Sequence, residues 1–167
     1  MGNQPIGKQS FIFEMPPIIQ YWASVTGKKE MEGPLRRYFD YTHSDAYFGQ
    51  TTWEQGEKKM QQLALENLAK KAGKKLNDFD LILSGDLLNQ CIGSSFTLRN
   101  TGIPHIGLYG ACSTMAESLM VASMVVGGGF RHQAVAMTSS HFAASERQYR
   151  SPTAPCSSRP RSSRLSR

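Results

Sequence analysis

The sequence predicts an α/β fold with parallel strands, and three observations support this. Short aliphatic runs at 80–85, 104–109 and 133–138 alternate with helix-like segments at 51–72, 94–99 and 111–126. The runs are bounded by Gly, Ser, Asp and Asn, the residues that make turns. The segment Ala111 to Val126 is small and apolar almost all round, which predicts a helix between two layers or at an interface, not one lying on a surface.

Taken in order, residues 1–50 are rich in Pro, Gly and aromatics. Within them Ile18 to Thr26 is β-branched and aromatic and reads as a strand stopped by Gly27. Gly33-Pro34 marks a turn, and Phe39 to Gly49 reads as irregular. Thr51 to Ala72 is the clearest helix. Thr51-Thr52-Trp53-Glu54 fits a capping box, Met60, Leu63, Ala64 and Leu68 recur at helical spacing, Lys70 and Lys71 suit the last turn, and Gly73 supplies the stop. Asp80 to Gly85 and Pro104 to Tyr109 read as buried strands, Ser94 to Arg99 as a short helix, and Gln133 to Thr138 as a third strand. No internal repeat is visible.

With 40% hydrophobic and 19% charged residues in 167, the chain can bury a core, and its length suits one domain or one half of a larger fold. Its +6 charge is local. Residues 1–149 carry 14 Lys and Arg against 13 Asp and Glu, whereas residues 150–167 carry five Arg and no acid. The basic 151–167 segment of Ser, Arg and Pro has almost no core-forming residue and is expected to be a disordered tail, separate from a domain over 1–150. It has no aromatic to stack on bases, so nucleic acid is not an expected partner, and a sequence that left its reading frame near Arg150 is the favoured account of it. Cys91, Cys112 and Cys156 have no zinc-knuckle or redox-pair spacing, and a disulfide framework is not expected. No metal site is expected at His43 and Asp45. The longest apolar stretch, Leu119 to Val126, is far short of the roughly 20 residues that span a bilayer, and the N-terminus has no signal-peptide pattern; the expectation is a soluble, intracellular protein.

The sharpest chemical signal is Leu108-Tyr109-Gly110-Ala111-Cys112-Ser113-Thr114, where a strand turns directly into a helix. Gly110 permits the tight turn, and Cys112 falls at a helix N-terminus, where unpaired N–H groups favour a thiolate or a bound anion. The alternative is a small buried structural cysteine, and the local pattern leaves both open. Of the four histidines, His105 and His132 read as structural, while His141, at a strand end after Ser139-Ser140, is the best partner for Cys112. Asp86 and Asn89 follow another strand end and either face the same crevice or cap the next helix. Gly127-Gly128-Gly129 follows a helix, so it is no phosphate loop.

Several blocks in order resemble the stage V sporulation protein AD family: Gly33-Pro34-Leu35, Trp53-Glu54, Gly85 to Gln90, Gly107 to Ser118, Ala136 to His141 and Glu146 to Arg150. The resemblance covers roughly residues 5–150. It implies a thiolase-like fold of two similar α/β halves, of which this chain holds an incomplete N-terminal half with a central sheet and a buried helix after the Cys elbow. Cys112 falls where thiolases place their acyl-accepting cysteine, and the His and Asn partners of those enzymes come from the other half. The resemblance further implies a non-catalytic binder of dipicolinic acid, with or without calcium, that serves its uptake into the developing spore. Cys112, Ser113, His141 and Asp86 would be its ligand-binding residues, and no cofactor is implied. It would work with membrane proteins of the same sporulation complex, peripherally on the cytoplasmic face of the forespore inner membrane, with a homodimer possible in the full-length family. The alternatives are a thiolase-superfamily acyltransferase using Cys112, and a non-functional truncated product.

Overall fold

The computed structural model describes residues 3–88 and 91–145; Asn89, the Glu146 to Arg150 block and the basic tail, together with the expectations placed on them, lie outside the described residues. In chain order the elements are β1 (Gln4–Ile6), β2 (Ser10–Ile12), β3 (Val25–Thr26), α1 (Lys28–Glu32), β4 (Tyr41–Thr42), α2 (Trp53–Ala72), β5 (Ile82–Gly85), α3 (Ile92–Leu98), β6 (His105–Gly107), α4 (Thr114–Gly127) and β7 (Val135–Thr138). The expected α/β order with parallel strands is present: β5 lies between β6 and β7, and both pairings are parallel.

The central strand is buried along its whole length, and successive side chains go to opposite faces. Ile82 joins Val135 and Met137 under α2 and α3, with Leu65, Ala69, Leu98 and Ile103. Leu81 and Leu83 join Ala134, Ala136 and Ala122 under α4. The sheet is thus the middle of three layers, α2 and α3 on one side and α4 on the other. The strand expected at 104–109 is shorter and lies on the sheet edge, half-buried at His105 and exposed at Ile106 and Gly107, so only β5 has the full burial expected of it.

The caps of α2 shift by one residue from the expected box. Thr52 is the N-cap and accepts from the Gln55 backbone N–H, while Thr51 donates to the Gln55 side chain. Gly73 ends the helix at φ 65° with its N–H on Ala69 and Lys70 carbonyls, as the sequence predicts. Lys71 does more than complement the dipole: its ammonium pairs with Asp40 at 2.6 Å and donates to the Trp22 carbonyl at 2.9 Å, tying the N-terminal segment to α2.

Two expectations are corrected. Only Val25–Thr26 of the predicted strand 18–26 pairs with a neighbour, β4; Ile18 and Trp22 are 81% and 70% exposed, with no strand alongside among the described residues to complete a ladder. The helix after the elbow is buried along one stripe, Thr114, Ser118 and Ala122, while Met115, Met120 and Met124 are exposed, the last two on the side away from that stripe. A second layer over α4 is absent among the described residues.

Gly85 fixes how the layers meet. A Cβ there would collide with the Leu108 carbonyl and sit 2.7 Å from Thr114 Cγ2, so the end of β5, the strand β6 exit and the start of α4 close together only over a glycine. Gly85→Ala is therefore expected to lower stability by about 3 kcal/mol or more, whereas Gly27→Ala, where a Cβ meets nothing within 4 Å, changes it by less than about 0.5 kcal/mol. Urea denaturation of the two variants measures the contrast.

Candidate functional site

Between β6 and α4 the chain makes a tight elbow. Ala111 to Ser113 form a single 3-10 turn, and Ala111 itself holds a left-handed φ of 49°, a conformation costing roughly 1 kcal/mol for a residue with a Cβ. The buried Thr114 hydroxyl clamps the turn, donating to the Ala111 carbonyl at 2.8 Å and accepting from the Gly110 N–H at 3.1 Å. Gly110 leaves room for the Glu117 carboxylate, which would lie 2.6 Å from a Cβ there. The outcome is an exposed Cys112 thiol held ahead of α4.

Cys112 lines a cavity of about 440 Å³. Its other walls come from the 23–25 segment, from Met60, Gln61 and Ala64 of α2, from Leu87, from Ala111 and Met115, and from Met137 to Ser140 at the end of β7. The cavity thus sits at the carboxyl ends of β5 and β7, where parallel sheets leave a crevice.

Behind the wall formed by Gln61 and Ser139 runs a chain of polar groups. Gln61 Nε2 donates to Ser139 Oγ at 2.6 Å, and Ser139 Oγ donates to Glu57 Oε1 at 2.7 Å. Ser94 Oγ and its backbone N–H both donate to Asp86 Oδ2 at 2.7 Å, with Gln61 Nε2 3.4 Å from Ser94 Oγ. Glu57 and Gln61 are fully buried, and Glu57 Oε2 and Gln61 Oε1 have no hydrogen-bond partner among the described residues. Burial is the chief reason the Glu57 carboxyl is pushed up to about 7, aided by the Asp86 and Glu54 charges and opposed by the Ser139 hydrogen bond and the His141 backbone N–H.

Of the four ligand-binding residues expected from the sequence, the structure places Cys112 in the cavity. Ser113 turns back to donate to the Gly110 carbonyl at 2.7 Å. Asp86 takes the capping role that the sequence left open: its carboxylate accepts the Leu88 and Ser94 N–H groups and is 1% exposed. His141 is also buried and committed. Its Nε2 donates to the Ala46 carbonyl at 2.6 Å and its Nδ1 accepts the Ala144 N–H, which is the pattern of a neutral ring. None of these three lines the cavity. His105 pairs with Ser84 at 2.8 Å, and burial holds its imidazole below the ordinary range. His43 stacks on Phe48. No metal-binding cluster occurs among the described residues.

Gln61, Ser139 and Ser140 are lining residues that the sequence reading did not single out as ligands. Ser139-Ser140 carried a signal as small polar residues closing a strand. Gln61 carried none, because a glutamine on a helix with Lys and Glu neighbours reads as solvent-facing.

Comparison with known proteins places the chain in a family. The sequence profile of the family described as stage V sporulation protein AD matches residues 7–166. The chain belongs to the stage V sporulation protein AD family. It is 41% identical over 147 residues to the stage V sporulation protein AD of Bacillus subtilis (strain 168), an alignment covering 88% of this chain and 44% of that protein. The chain thus spans less than half the length of the relative it matches. The family match continues past Arg150 into the basic segment, which the sequence reading had set apart. Membership in a family of sporulation proteins and the three-layer α/β order agree with the thiolase-like fold that the resemblance implies.

The two described cysteines differ in chemistry. Cys91 is buried, donates to the Leu108 carbonyl at 3.3 Å, and has its thiol pushed up by burial, whereas Cys112 is exposed. Iodoacetamide with peptide mapping is expected to label Cys112 at least about 10-fold faster than Cys91 in the folded chain, with the difference lost in denaturant. A second expectation comes from Glu57. Its folded value lies above the ordinary 4.5, so the folded state binds the extra proton and stability falls as pH rises from about 4.5 to about 7, by about 3 kcal/mol, then levels off. Glu57→Gln should remove that slope, as read from denaturation midpoints of the two proteins at pH 5 and pH 8.

Proposed function

We propose that the chain is part of a sporulation protein that binds dipicolinic acid, alone or as its calcium chelate, for uptake into the developing spore. The observation that carries this reading is the cavity beside the Cys112 elbow in a member of this family. Its volume of about 440 Å³ falls in the range of small-ligand pockets, and its polar wall of Ser139, Ser140, Cys112 and Gln61 faces Met60, Met115 and Met137. That mixture suits a flat aromatic ring carrying two carboxylates: hydroxyls and thiol at its edges, thioethers at its face.

Binding without turnover is part of the proposal. Cys112 has no base beside it among the described lining residues, and the rings of His105 and His141 are engaged elsewhere. The protein would act peripherally at the cytoplasmic face of the forespore inner membrane, beside membrane proteins of the same complex. Among the described residues no helix is long and apolar enough to cross a membrane. A second reading, acyl transfer through Cys112, is favoured by the exposed thiol on a left-handed elbow.

Titration calorimetry of the chain with dipicolinic acid, with and without calcium, tests the first reading. Saturable binding is expected, weakened at least about 10-fold in Cys112→Trp, whose indole would fill the cavity. A folded protein that takes up no dipicolinate overturns it. Intact-mass measurement after exposure to an acyl-coenzyme A thioester tests the second: an acyl adduct on Cys112 would favour the enzyme.

A further inference from the structure

Glu57 is an unusual residue to find where it is. It lies on the buried stripe of α2 with Gln61, Leu65 and Ala69, is fully inaccessible, and has no cationic partner among the described residues. A carboxylate in such a place is costly unless it is neutral or well paired. Its carboxylate accepts from the Ser139 hydroxyl, and Ser139 lines the Cys112 cavity. Glu57 therefore touches the cavity through one hydroxyl.

That hydroxyl has one proton and two lone pairs. With Glu57 ionised, Ser139 donates its proton to Glu57 Oε1 and accepts from Gln61 Nε2, so it has no proton left for a ligand. With Glu57 neutral, the direction can reverse. The carboxylic acid O–H donates to Ser139 Oγ, Gln61 still donates to the second lone pair, and the Ser139 proton is released toward the cavity. The proton on Glu57 comes from solvent; no other bond changes.

We propose that Glu57 makes anion binding in the Cys112 cavity proton-coupled: its neutral form turns the Ser139 hydroxyl toward an incoming carboxylate, and its ionised form withholds that hydroxyl and repels the anion. The inference rests on the reading of this cavity as an anion site. Among the described residues, the groups facing Glu57 are the Asp86 carboxylate from the β5–α3 turn, the His141 backbone N–H after β7, and Glu54 on its own helix. No lysine or arginine is among these described groups, so none of them supplies a positive charge that would cancel the switch. A Glu57 carboxyl pushed up to about 7 places the change within the physiological range.

The thiol of Cys112 offers a readout that needs no natural ligand. The thiolate displaces iodide from both iodoacetate and iodoacetamide, so their rate ratio at Cys112, measured by peptide mapping, cancels the titration of the cysteine and reports acceptance of an anion in the cavity. The ratio is expected to fall on the order of 5-fold between pH 6 and pH 8 in the wild-type chain. It should be flat in Glu57→Gln, and in Ser139→Ala it should start lower at pH 6. A flat wild-type profile overturns the proposal, as does an unchanged slope in a folded Glu57→Gln; should that variant fail to fold, the wild-type and Ser139→Ala profiles decide. Calorimetry with dipicolinic acid at pH 6 and pH 8 separates this from the ligand reading. A sloping ratio without dipicolinate binding leaves the proton coupling standing and removes the ligand; pH-independent dipicolinate binding does the reverse.

Discussion

The close approach at Gly85 is the constraint on which the rest of the site depends. Strand β5 is buried along its whole length, and at its end the chain must make room for both the β6 exit and the first turn of α4. Because Gly85 has no side chain, the Leu108 carbonyl and Thr114 can lie against it. Thr114 in turn clamps Gly110 and Ala111, and the left-handed Ala111 presents Cys112 outward. A larger residue at 85 would move the elbow away from the ends of β5 and β7 and open the cavity that Cys112 shares with Ser139. The placement of the thiol thus follows from packing in the sheet, several residues from the thiol itself.

A second constraint acts from the other layer. The buried stripe of α2 runs through positions 57, 61, 65 and 69, one helical turn apart. Its C-terminal half, Leu65 and Ala69, packs on the apolar sheet face, where Ile82, Val135 and Met137 lie. Its N-terminal half, Glu57 and Gln61, passes beneath the strand ends, where the groups to be met are hydroxyls and the Asp86 carboxylate. One helix face therefore changes from apolar to polar along its length, as the environment beneath it changes from sheet to crevice. Gly93 belongs to the same arrangement: a Cβ there would lie 3.2 Å from both Asp86 Oδ2 and Gln61 Nε2.

This change of character explains what the sequence disclosed and what it did not. The α/β order, the parallel sheet, the Gly73 stop and the elbow at 110–114 were legible because each is carried by local patterns: aliphatic runs, a left-handed glycine, a strand followed at once by a helix. The buried face of α2 was not, because the apolar repeat of Met60, Leu63, Ala64 and Leu68 points to a neighbouring face that is only half-buried. Hydrophobic periodicity finds a buried stripe when burial and apolarity coincide, and at Glu57 and Gln61 they do not. The N-terminal run 18–26 failed for a related reason. Its residues have strand propensity, but a strand needs a partner edge, and only Val25–Thr26 has one.

His141 and Asp86 show the limit of reading chemistry from position. Both are polar residues that follow strand ends, as expected of ligands. Their side chains are nonetheless consumed by backbone groups: His141 by Ala46 and Ala144, Asp86 by Leu88 and Ser94. Loops that leave a sheet edge bury N–H and C=O groups that must be met, and the nearest polar side chains meet them. What remains available to a ligand is what those loops do not need. Here that includes Cys112, held outward by strain at Ala111, the exposed Ser140, and the Ser139 hydroxyl, whose proton depends on the state of Glu57 behind it. The functional character of the cavity is thus set less by the residues that stand at the strand ends than by the buried acid one layer below them.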